Sequence, residues 1–205
     1  MNYYIDFDNT LYETAKLTET MLNEISEKVE IETNLNKEDI FKYVKENFDS
    51  SNDNIYTYAE KVGENFNVNK VELVNCVKDV VEKGKIFVFK DAESFLKKLK
   101  ETDNKIILLT FMPKSNQEYQ LQKIYGSGLA KYFDTLIITS DMKFNLDLDY
   151  KNGIFIDDNP RDLEGLHSKN PIRLIRIRKP NNKRYEIEMN ISGMEEYKSF
   201  DDIKI

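Results

Sequence analysis

The sequence predicts an α/β protein in which a parallel five-stranded sheet, with helices on both faces, is interrupted by a separate group of helices. Short apolar runs alternate along the chain with amphipathic segments, as they do in proteins built on parallel sheets. A gap of about ninety residues after the first apolar run breaks this alternation, and connections of that length contain structure of their own. The gap therefore indicates an inserted unit.

Five runs are predicted strands because each is compact, apolar on both faces and rich in Ile, Leu, Tyr or Phe. They are NYYI at 2–5, KIILL at 105–109, TLIIT at 135–139, GIFI at 153–156 and IRLIRI at 172–177. Helical segments such as DAESFLKKLKE and SNQEYQLQKIY separate them. Since strand and helix alternate, we expect the strands to pair in parallel.

The inserted unit is predicted to contain four helices. Apolar residues recur every three or four positions in four successive segments, as on the buried face of an amphipathic helix. Asn36 and Asn69 precede the second and fourth segments and are predicted N-caps. We therefore expect an α/β core domain of residues 1–13 and 87–205 and a small helical domain of residues 14–86.

The composition excludes several kinds of site. With Cys76 as the only cysteine and His167 as the only histidine, an internal disulfide and a Cys-rich zinc site are excluded, and a bound metal would need oxygen ligands, which favours Mg²⁺. A net charge of −7 argues against a nucleic-acid polymer as partner. No membrane span and no signal peptide is predicted, so we expect a cytoplasmic protein.

One basic stretch, RLIRIRKPNNKR, departs from the acidic average. It is predicted to be a solvated strand end and turn, because charges on an outer strand prevent edge pairing. The alternative is a contact with a substrate anion or a partner. Its charged residues are Arg173, Arg176, Arg178, Lys179, Lys183 and Arg184.

Two acidic clusters each follow a predicted strand. Asp6 and Asp8 follow the first, and because side chains alternate along a strand, they face the same side while Phe7 turns to the core. Asp157 and Asp158 follow the fourth. Ligand sites of open α/β sheets lie at the carboxyl ends of the strands. If these strands are neighbours, the carboxylates converge and would repel one another without a divalent cation.

Three segments, DFDNT, IILLT and IFIDDNPRD, each close a predicted strand, and in this order they resemble the motifs of the haloacid dehalogenase (HAD) superfamily of aspartate-nucleophile phosphotransferases. They run from Asp6 to Asp162, so the resemblance covers the core domain. The helical insertion at 14–86 resembles the cap of that family. The resemblance implies a HAD-like, Rossmann-like core with a helical cap domain.

Carried onto the matching positions, the resemblance implies that Asp6 is the nucleophile and forms an aspartyl-phosphate. Asp8 would protonate the leaving oxygen and then deprotonate the water that releases phosphate. Mg²⁺ would be held by a carboxylate oxygen of Asp6, the backbone carbonyl of Asp8 and the carboxylate of Asp158, with Asp157 as a further candidate ligand. Asp162 would orient these ligands.

The phosphate is expected to bind at the second motif. The resemblance implies that the hydroxyl of Thr110 and nearby amides receive a phosphoryl oxygen, and that a lysine completes the site. Lys143 is favoured over Lys151, because Lys151 is too close to the following strand to reach back. Thr10 is expected to hydrogen-bond the backbone of the first turn. The segment TFMP departs from the family pattern after the second motif.

The leading hypothesis is a Mg²⁺-dependent phosphatase that acts on a small phosphorylated metabolite, a phosphomonoester, and whose cap excludes water and selects the leaving group. Asp8 argues against a dehalogenase, which lacks an acid at this position. Two alternatives remain open: a phosphomutase that uses the same residues, and a catalytically silent HAD-like binding or regulatory module. The sequence fixes neither the substrate nor the oligomeric state.

Overall fold

The computed structural model describes residues 1–49, 54–169, 172–180, 182 and 184–204. The chain divides into two compact units, Met1–Ala15 with Lys85–Ile205, and Lys16–Gly84. The first contains the sheet and the second is helical.

The sheet of the first unit is parallel throughout, and its six strands lie in the order β3-β2-β1-β4-β5-β6. The strands are β1 Asn2–Ile5, β2 Lys105–Phe111, β3 Thr135–Thr139, β4 Ile154–Asp157, β5 Arg173–Ile177 and β6 Glu195–Tyr197. The predicted parallel α/β fold is confirmed. The sheet has a sixth strand beyond the five predicted, because the sequence EEY has no apolar run to reveal it.

The strand β1 lies at the centre of the sheet, between β2 and β4. Ile5 is opposite Leu108 on one side and Ile156 on the other. Asp6 continues the pairing, because its N–H donates to the carbonyl of Ile156 at 2.9 Å. Consecutive residues of the central strands are buried, so both faces of the sheet are covered. The register brings the ends of β1 and β4 together.

Three helices complete the first unit: α5 Lys90–Lys100, α6 Gln117–Gly126 and α7 Pro160–Lys169. The helix α7 contributes Leu163 and Leu166 to an apolar cluster that also contains residues of the strands. Burial of these side chains fixes α7 against the sheet directly after the acidic end of β4.

The strand β6 pairs with β5 and with its charged side chains, which corrects the prediction that the basic stretch is a solvated strand end. Arg173 donates to both carboxylate oxygens of Glu195, from Nε at 2.6 Å and from Nη2 at 2.9 Å. The side chain of Arg176 is fully buried, and its Nη1 lies 3.1 Å from Glu196 Oε2. Because β6 covers the edge of β5, these charges pair across two strands instead of protecting an edge.

The remainder of the basic stretch is held in the same unit. Lys179 is buried and pairs with Asp91 of α5, while Arg178 donates to the carbonyl of Tyr185. Arg184 reaches an acidic side chain described below, and Lys183 lies outside the described residues.

The second unit contains α1 Thr14–Thr33, of which the first residues belong to the first unit, followed by α2 Lys37–Asn47, α3 Ile55–Phe66 and α4 Lys70–Glu82. Both predicted N-caps are confirmed. The side chain of Asn36 accepts the N–H groups of Glu38 and Asp39, and that of Asn69 accepts the N–H of Val71.

Each helix of the second unit turns an apolar stripe inward, and the buried side chains include Leu17, Ile25, Val44, Val62 and Val77. The helices are amphipathic rather than apolar all round. Within the described ranges, none of the helices combines the length and hydropathy needed to cross a bilayer.

Candidate active site

Three carboxylates meet at the carboxyl ends of β1 and β4. An oxygen of each of Asp6, Asp157 and Asp158 lies within 4.8 Å of the others, and all three residues are buried. They meet because β1 and β4 are parallel neighbours whose ends lie at the same edge of the sheet. Asp8 and Asp162 do not belong to this group of close oxygens.

Lys143 links two of these carboxylates. It lies in a short 3₁₀ helix after β3, and its Nζ is 2.5 Å from Asp6 Oδ1 and 2.6 Å from Asp157 Oδ2. The lysine is 2% exposed, so this pairing takes place away from water. Lys151, the alternative, is exposed in the turn before β4. The structure therefore places Lys143, and not Lys151, against the expected nucleophile.

Asp162 positions this lysine and the acidic loop. Its Oδ1 accepts the backbone N–H of Lys143 at 3.2 Å, and its Oδ2 accepts Nδ2 of Asn159 at 2.8 Å. The backbone N–H of Asn159 donates to Asp157 Oδ1 at 2.8 Å. Asp162 thus ties the start of α7 to the segment that carries Lys143.

The electrostatics of the cluster follow from burial. Burial raises the pKa of Asp6 to about 7, even though the charge of Lys143 lowers it. Burial also raises the pKa of Asp157 to about 6 and that of Asp158 above its ordinary value. For Lys143, burial lowers the pKa, but the charges of Asp157 and Asp6 outweigh it and keep the ammonium charged. Burial therefore disfavours the charged form of all three carboxylates.

Asp8 faces a different set of donors. Its Oδ1 accepts Thr14 Oγ1 at 2.5 Å and Lys123 Nζ at 2.6 Å, and its Oδ2 accepts Gln120 Nε2 at 2.7 Å. Burial raises the pKa of Asp8, but the charge of Lys123 and these hydrogen bonds lower it further, so the net shift is downward. The structure therefore holds Asp8 as a carboxylate.

The two threonines differ from each other in their contacts. Thr110 is buried near the end of β2, where its hydroxyl accepts Gln120 Nε2 at 3.1 Å. Thr10 is buried in the turn after β1, but its hydroxyl has no hydrogen-bond partner in the part of the chain that the structure describes. The bond to the turn backbone that was expected of Thr10 is not formed. Asn9, in the left-handed region at φ 60°, shapes that turn.

Asp158 is covered by the loop after β5. Nη1 of Arg184 donates to both of its carboxylate oxygens, at 3.2 and 3.0 Å, and Nδ2 of Asn182 donates to Oδ2 at 2.6 Å. The alternative that the sequence left open for the basic stretch was a contact with a substrate anion or a partner, and this contact with a carboxylate of the same chain was not predicted. It connects a segment more than twenty residues downstream to the acidic edge of the sheet.

The donor set fits a divalent cation. Three buried carboxylates face two cations, Lys143 and Arg184, so one negative charge is unbalanced when all three carboxylates are ionised. Oxygen ligands of this kind suit Mg²⁺. Both oxygens of Asp157 and both oxygens of Asp158 have donors, but the donors differ. Asp157 is held by the buried Lys143 and a backbone N–H, whereas Asp158 is held by the side chains of Asn182 and of Arg184, which is one-third exposed. Asp6 and Asp158 are therefore the stronger candidates as carboxylate ligands.

A match to a family model shows which protein family the chain belongs to. The model of the haloacid dehalogenase-like hydrolases matches residues 3–168. The chain belongs to this family. The match extends from β1 to the last turns of α7 and so contains all three motifs of the HAD fold described above. No curated protein matches the chain.

Solved structures of HAD proteins align over most of the chain at low identity. A HAD phosphatase from Thermococcus onnurineus is 17% identical over 98% of this chain and 94% of its own, with a TM-score of 0.63. A protein described as a haloacid dehalogenase-like hydrolase from Burkholderia xenovorans LB400 is 13% identical over 98% and 93%, with a TM-score of 0.70. One described as a β-phosphoglucomutase from Thermotoga maritima is 14% identical over 86% and 84%, with a TM-score of 0.56. At these identities the likeness shows the fold alone.

Three polar contacts of this HAD-like hydrolase were missed by sequence reasoning. Gln120 and Lys123 lie three positions apart on α6, where they share a helix face, and both reach Asp8. That spacing was the available signal, but in SNQEYQLQKIY it also fits a solvated face. Arg184 gave no local signal, because its partner Asp158 is brought to it only by the packing of the loop after β5.

Proposed function

We propose that the protein is a Mg²⁺-dependent phosphohydrolase that cleaves a small phosphomonoester through a phosphorylated Asp6. One observation carries the proposal: the buried Asp6 carboxylate, at the carboxyl end of the central strand, contacts Lys143 and lies next to two further carboxylates. Family membership as a HAD-like hydrolase supports it.

Asp6 is suited to attack phosphorus. Its Oδ1 is held by Lys143, while Oδ2 has no hydrogen-bond donor among the described residues and is the oxygen available to form the new bond. The new P–Oδ bond forms as the ester P–O bond breaks, and the leaving oxygen takes a proton from Asp8. Asp8 must therefore carry a proton at this step, against the donors that favour its carboxylate form. Lys143 provides positive charge against the incoming phosphate.

The second step releases phosphate. Asp8 returns to the carboxylate form and accepts a proton from water, whose oxygen attacks phosphorus while the P–Oδ bond to Asp6 breaks. The hydrogen bonds from Thr14, Gln120 and Lys123 favour this carboxylate form.

The remaining residues would bind the cation and the phosphate. Mg²⁺, held by carboxylates of Asp6 and Asp158 and the backbone carbonyl of Asp8, would neutralise charge on the phosphate oxygens. Asp157 accepts hydrogen bonds from Lys143 and from the N–H of Asn159, so we propose that it mainly supports Lys143 and is a further candidate ligand. The Thr110 hydroxyl would donate to a phosphoryl oxygen while accepting from Gln120.

The helical segment of residues 14–86 is proposed as the cap domain that selects the leaving group, with residues 1–13 and 87–205 as the core domain. The substrate would be a small phosphorylated metabolite and not a nucleic acid polymer, as the net charge of −7 favours. The cytoplasmic location and the absence of a membrane partner stay predictions.

The proposal is tested by phosphate release from a broad panel of phosphomonoesters with Mg²⁺. We expect release from at least one compound, its loss on chelation, and a decrease of at least about 10³-fold in Asp6→Asn. Asp103→Asn makes the same chemical change in an exposed turn and should retain activity. An inactive wild-type protein across the panel, or an Asp6→Asn variant as active as Asp103→Asn, would contradict the proposal.

A phosphomutase would use the same residues, and a HAD-fold neighbour carries that description. Analysis of the products separates the two reactions. Free phosphate indicates hydrolysis, whereas an isomeric sugar phosphate without free phosphate indicates a mutase. Mg²⁺ binding without turnover of any compound would favour the silent binding module.

A further inference from the structure

Arg184 places a guanidinium group on a candidate metal ligand. Nη1 lies 3.2 Å from Oδ1 and 3.0 Å from Oδ2 of Asp158, and Asn182 completes the contact. Asp158 is 1% exposed, so Arg184 is the charge that neutralises it in this structure. A buried carboxylate cannot lose such a partner without a replacement. A cation that binds Asp158 through either oxygen therefore competes directly with Arg184.

The backbone of Arg184 is anchored, whereas its guanidinium is only partly held. The carbonyl of Arg184 accepts Nη2 of the buried Arg176 at 2.8 Å, and its N–H donates to Asn182 Oδ1 at 3.0 Å. The side chain remains 33% exposed, and Nε and Nη2 have no acceptor among the described residues. The guanidinium can therefore leave Asp158 while the loop stays in place.

The guanidinium of Arg184 lies beside the proposed reaction centre. Its partner Asp158 has a carboxylate oxygen within 4.8 Å of oxygens of Asp6 and Asp157. The group thus lies within the field of the nucleophile as well as its direct partner. A planar guanidinium with free N–H groups is well suited to bind two oxygens of a phosphate.

We propose that Arg184 is an exchangeable counter-ion that neutralises Asp158 in the free protein, is displaced when Mg²⁺ binds Asp158, and then binds the substrate phosphate. The inference rests on the proposed function, because it requires a cation at Asp158 and a phosphate at Asp6. It assigns Arg184 two opposite effects: it weakens the binding of Mg²⁺ alone and strengthens the binding of phosphate once Mg²⁺ is present.

The test is calorimetric binding of Mg²⁺ alone, and of inorganic phosphate at saturating Mg²⁺, to the full chain. Arg184→Met removes the charge and keeps much of the length, and Arg184→Lys keeps the charge without the planar pair of donors. Arg161→Met is the matched control, because it removes the same charge from an exposed position at the start of α7. Thermal unfolding of each variant reports on folding separately.

For Arg184→Met, we expect Mg²⁺ to bind about fivefold more tightly and phosphate at least about tenfold more weakly than in the wild type. Arg184→Lys should bind Mg²⁺ as the wild type does and phosphate with intermediate affinity. Arg161→Met should change neither by more than about twofold, because exposed charges are screened by salt.

If Arg184 had only a structural role, Arg184→Met would lower the Mg²⁺ affinity, the phosphate affinity and the thermal stability. That result would overturn the proposal. Unchanged Mg²⁺ affinity in Arg184→Met would overturn it as well. Both readouts are binding measurements and need no turnover. Suppose that Arg184→Met shows both opposite effects while the wild-type protein hydrolyses no phosphomonoester. That result would contradict the proposed function and leave the role of Arg184 standing.

Discussion

Lys123 is the residue that most directly sets the state of Asp8. Its side chain is 1% exposed, and Nζ lies 2.6 Å from Asp8 Oδ1 and 5.8 and 5.1 Å from the ring centres of Phe7 and Tyr119. The charge of this buried ammonium is stabilised by one carboxylate and two aromatic rings rather than by hydration. The contact links α6 to the turn after β1.

Replacing Lys123 by Met leaves the Asp8 carboxylate without a cation. Because Asp8 keeps 21% of its side chain exposed, we expect a loss of about 2 kcal/mol in the free energy of unfolding, less than the 3–5 kcal/mol typical of a fully buried pair. Urea unfolding measures it. Lys100→Met, which breaks the exposed pair with Asp134, should lose less than about 1 kcal/mol.

The charge origin of this effect is checked in an Asp8→Asn background. There, Lys123→Met should lose less than half of what it loses in the wild type, because the carboxylate is already absent. An equal loss in both backgrounds would show that Lys123 acts through packing alone.

Single site residues were predictable where a strand end fixed their position. Asp6, Asp157 and Asp158 each follow a buried strand, so parallel pairing alone brings them together. Lys143 could be chosen over Lys151 because reach from the preceding turn limits the choice. The hydroxyl of Thr10 could not be placed, since its partner depends on the detailed shape of the turn.

The helix α7 packs closely against the segment that carries Lys143. A Cβ at Gly165 would lie 2.2 Å from Cδ1 and 2.4 Å from Cγ of Phe144, which follows Lys143 in the chain. Since Cγ is close to the backbone, the ring cannot simply swing away. The absence of a side chain at Gly165 therefore helps to place Lys143.

Gly165→Ala should displace Phe144 and, with it, Lys143. We expect a loss of about 1–3 kcal/mol in the free energy of unfolding, as for overpacked cores, and a decrease in kcat larger than any change in KM. Denaturant unfolding and steady-state kinetics measure the two effects. Glu164→Ala, an exposed substitution on the same helix, should change neither, and a fully active Gly165→Ala would contradict this account of the packing.

The start of α5 is tied to the last part of the chain by Asp91. Its Oδ2 accepts the ammonium of Lys179, the hydroxyl of Ser199 at 2.9 Å and the N–H of Phe200 at 2.8 Å. Burial raises the pKa of Asp91, but the hydrogen bonds from Lys179, Phe200 and Ser199 lower it more. The folded pKa is thus below the unfolded value.

A depressed pKa gives stability that is present above the unfolded value of about 4 and is lost as the pH falls through the folded pKa. We expect Asp91→Asn to lose about 1–2 kcal/mol at pH 7, a value reduced for the partial exposure of the pair. Its unfolding free energy should fall less steeply than that of the wild type below about pH 4. If the unfolding free energies of the two proteins fell equally steeply below about pH 4, Asp91 would not be the source of this pH dependence.

For the molecule as a whole, the parallel α/β fold was predictable because buried strands leave runs that are apolar on both faces. The helix caps Asn36 and Asn69 were predictable from local chemistry. The strand β6 was not, since three polar residues give no pattern, and its absence from the prediction made the charges of β5 look solvated. The errors therefore lie where one segment is stabilised only by another distant in sequence.

At the largest scale, the first unit brings together the ends of β1 and β4, the end of β2, the segment of Lys143 and the loop after β5. We propose that these segments serve a phosphoryl group carried by Asp6. Acid-quenched protein, taken during turnover of an active phosphomonoester and digested for mass spectrometry, tests it most directly. We predict phosphate on the peptide that contains Asp6 and none in Asp6→Asn. Phosphate on another residue, or turnover by Asp6→Asn at the wild-type rate, would contradict the account.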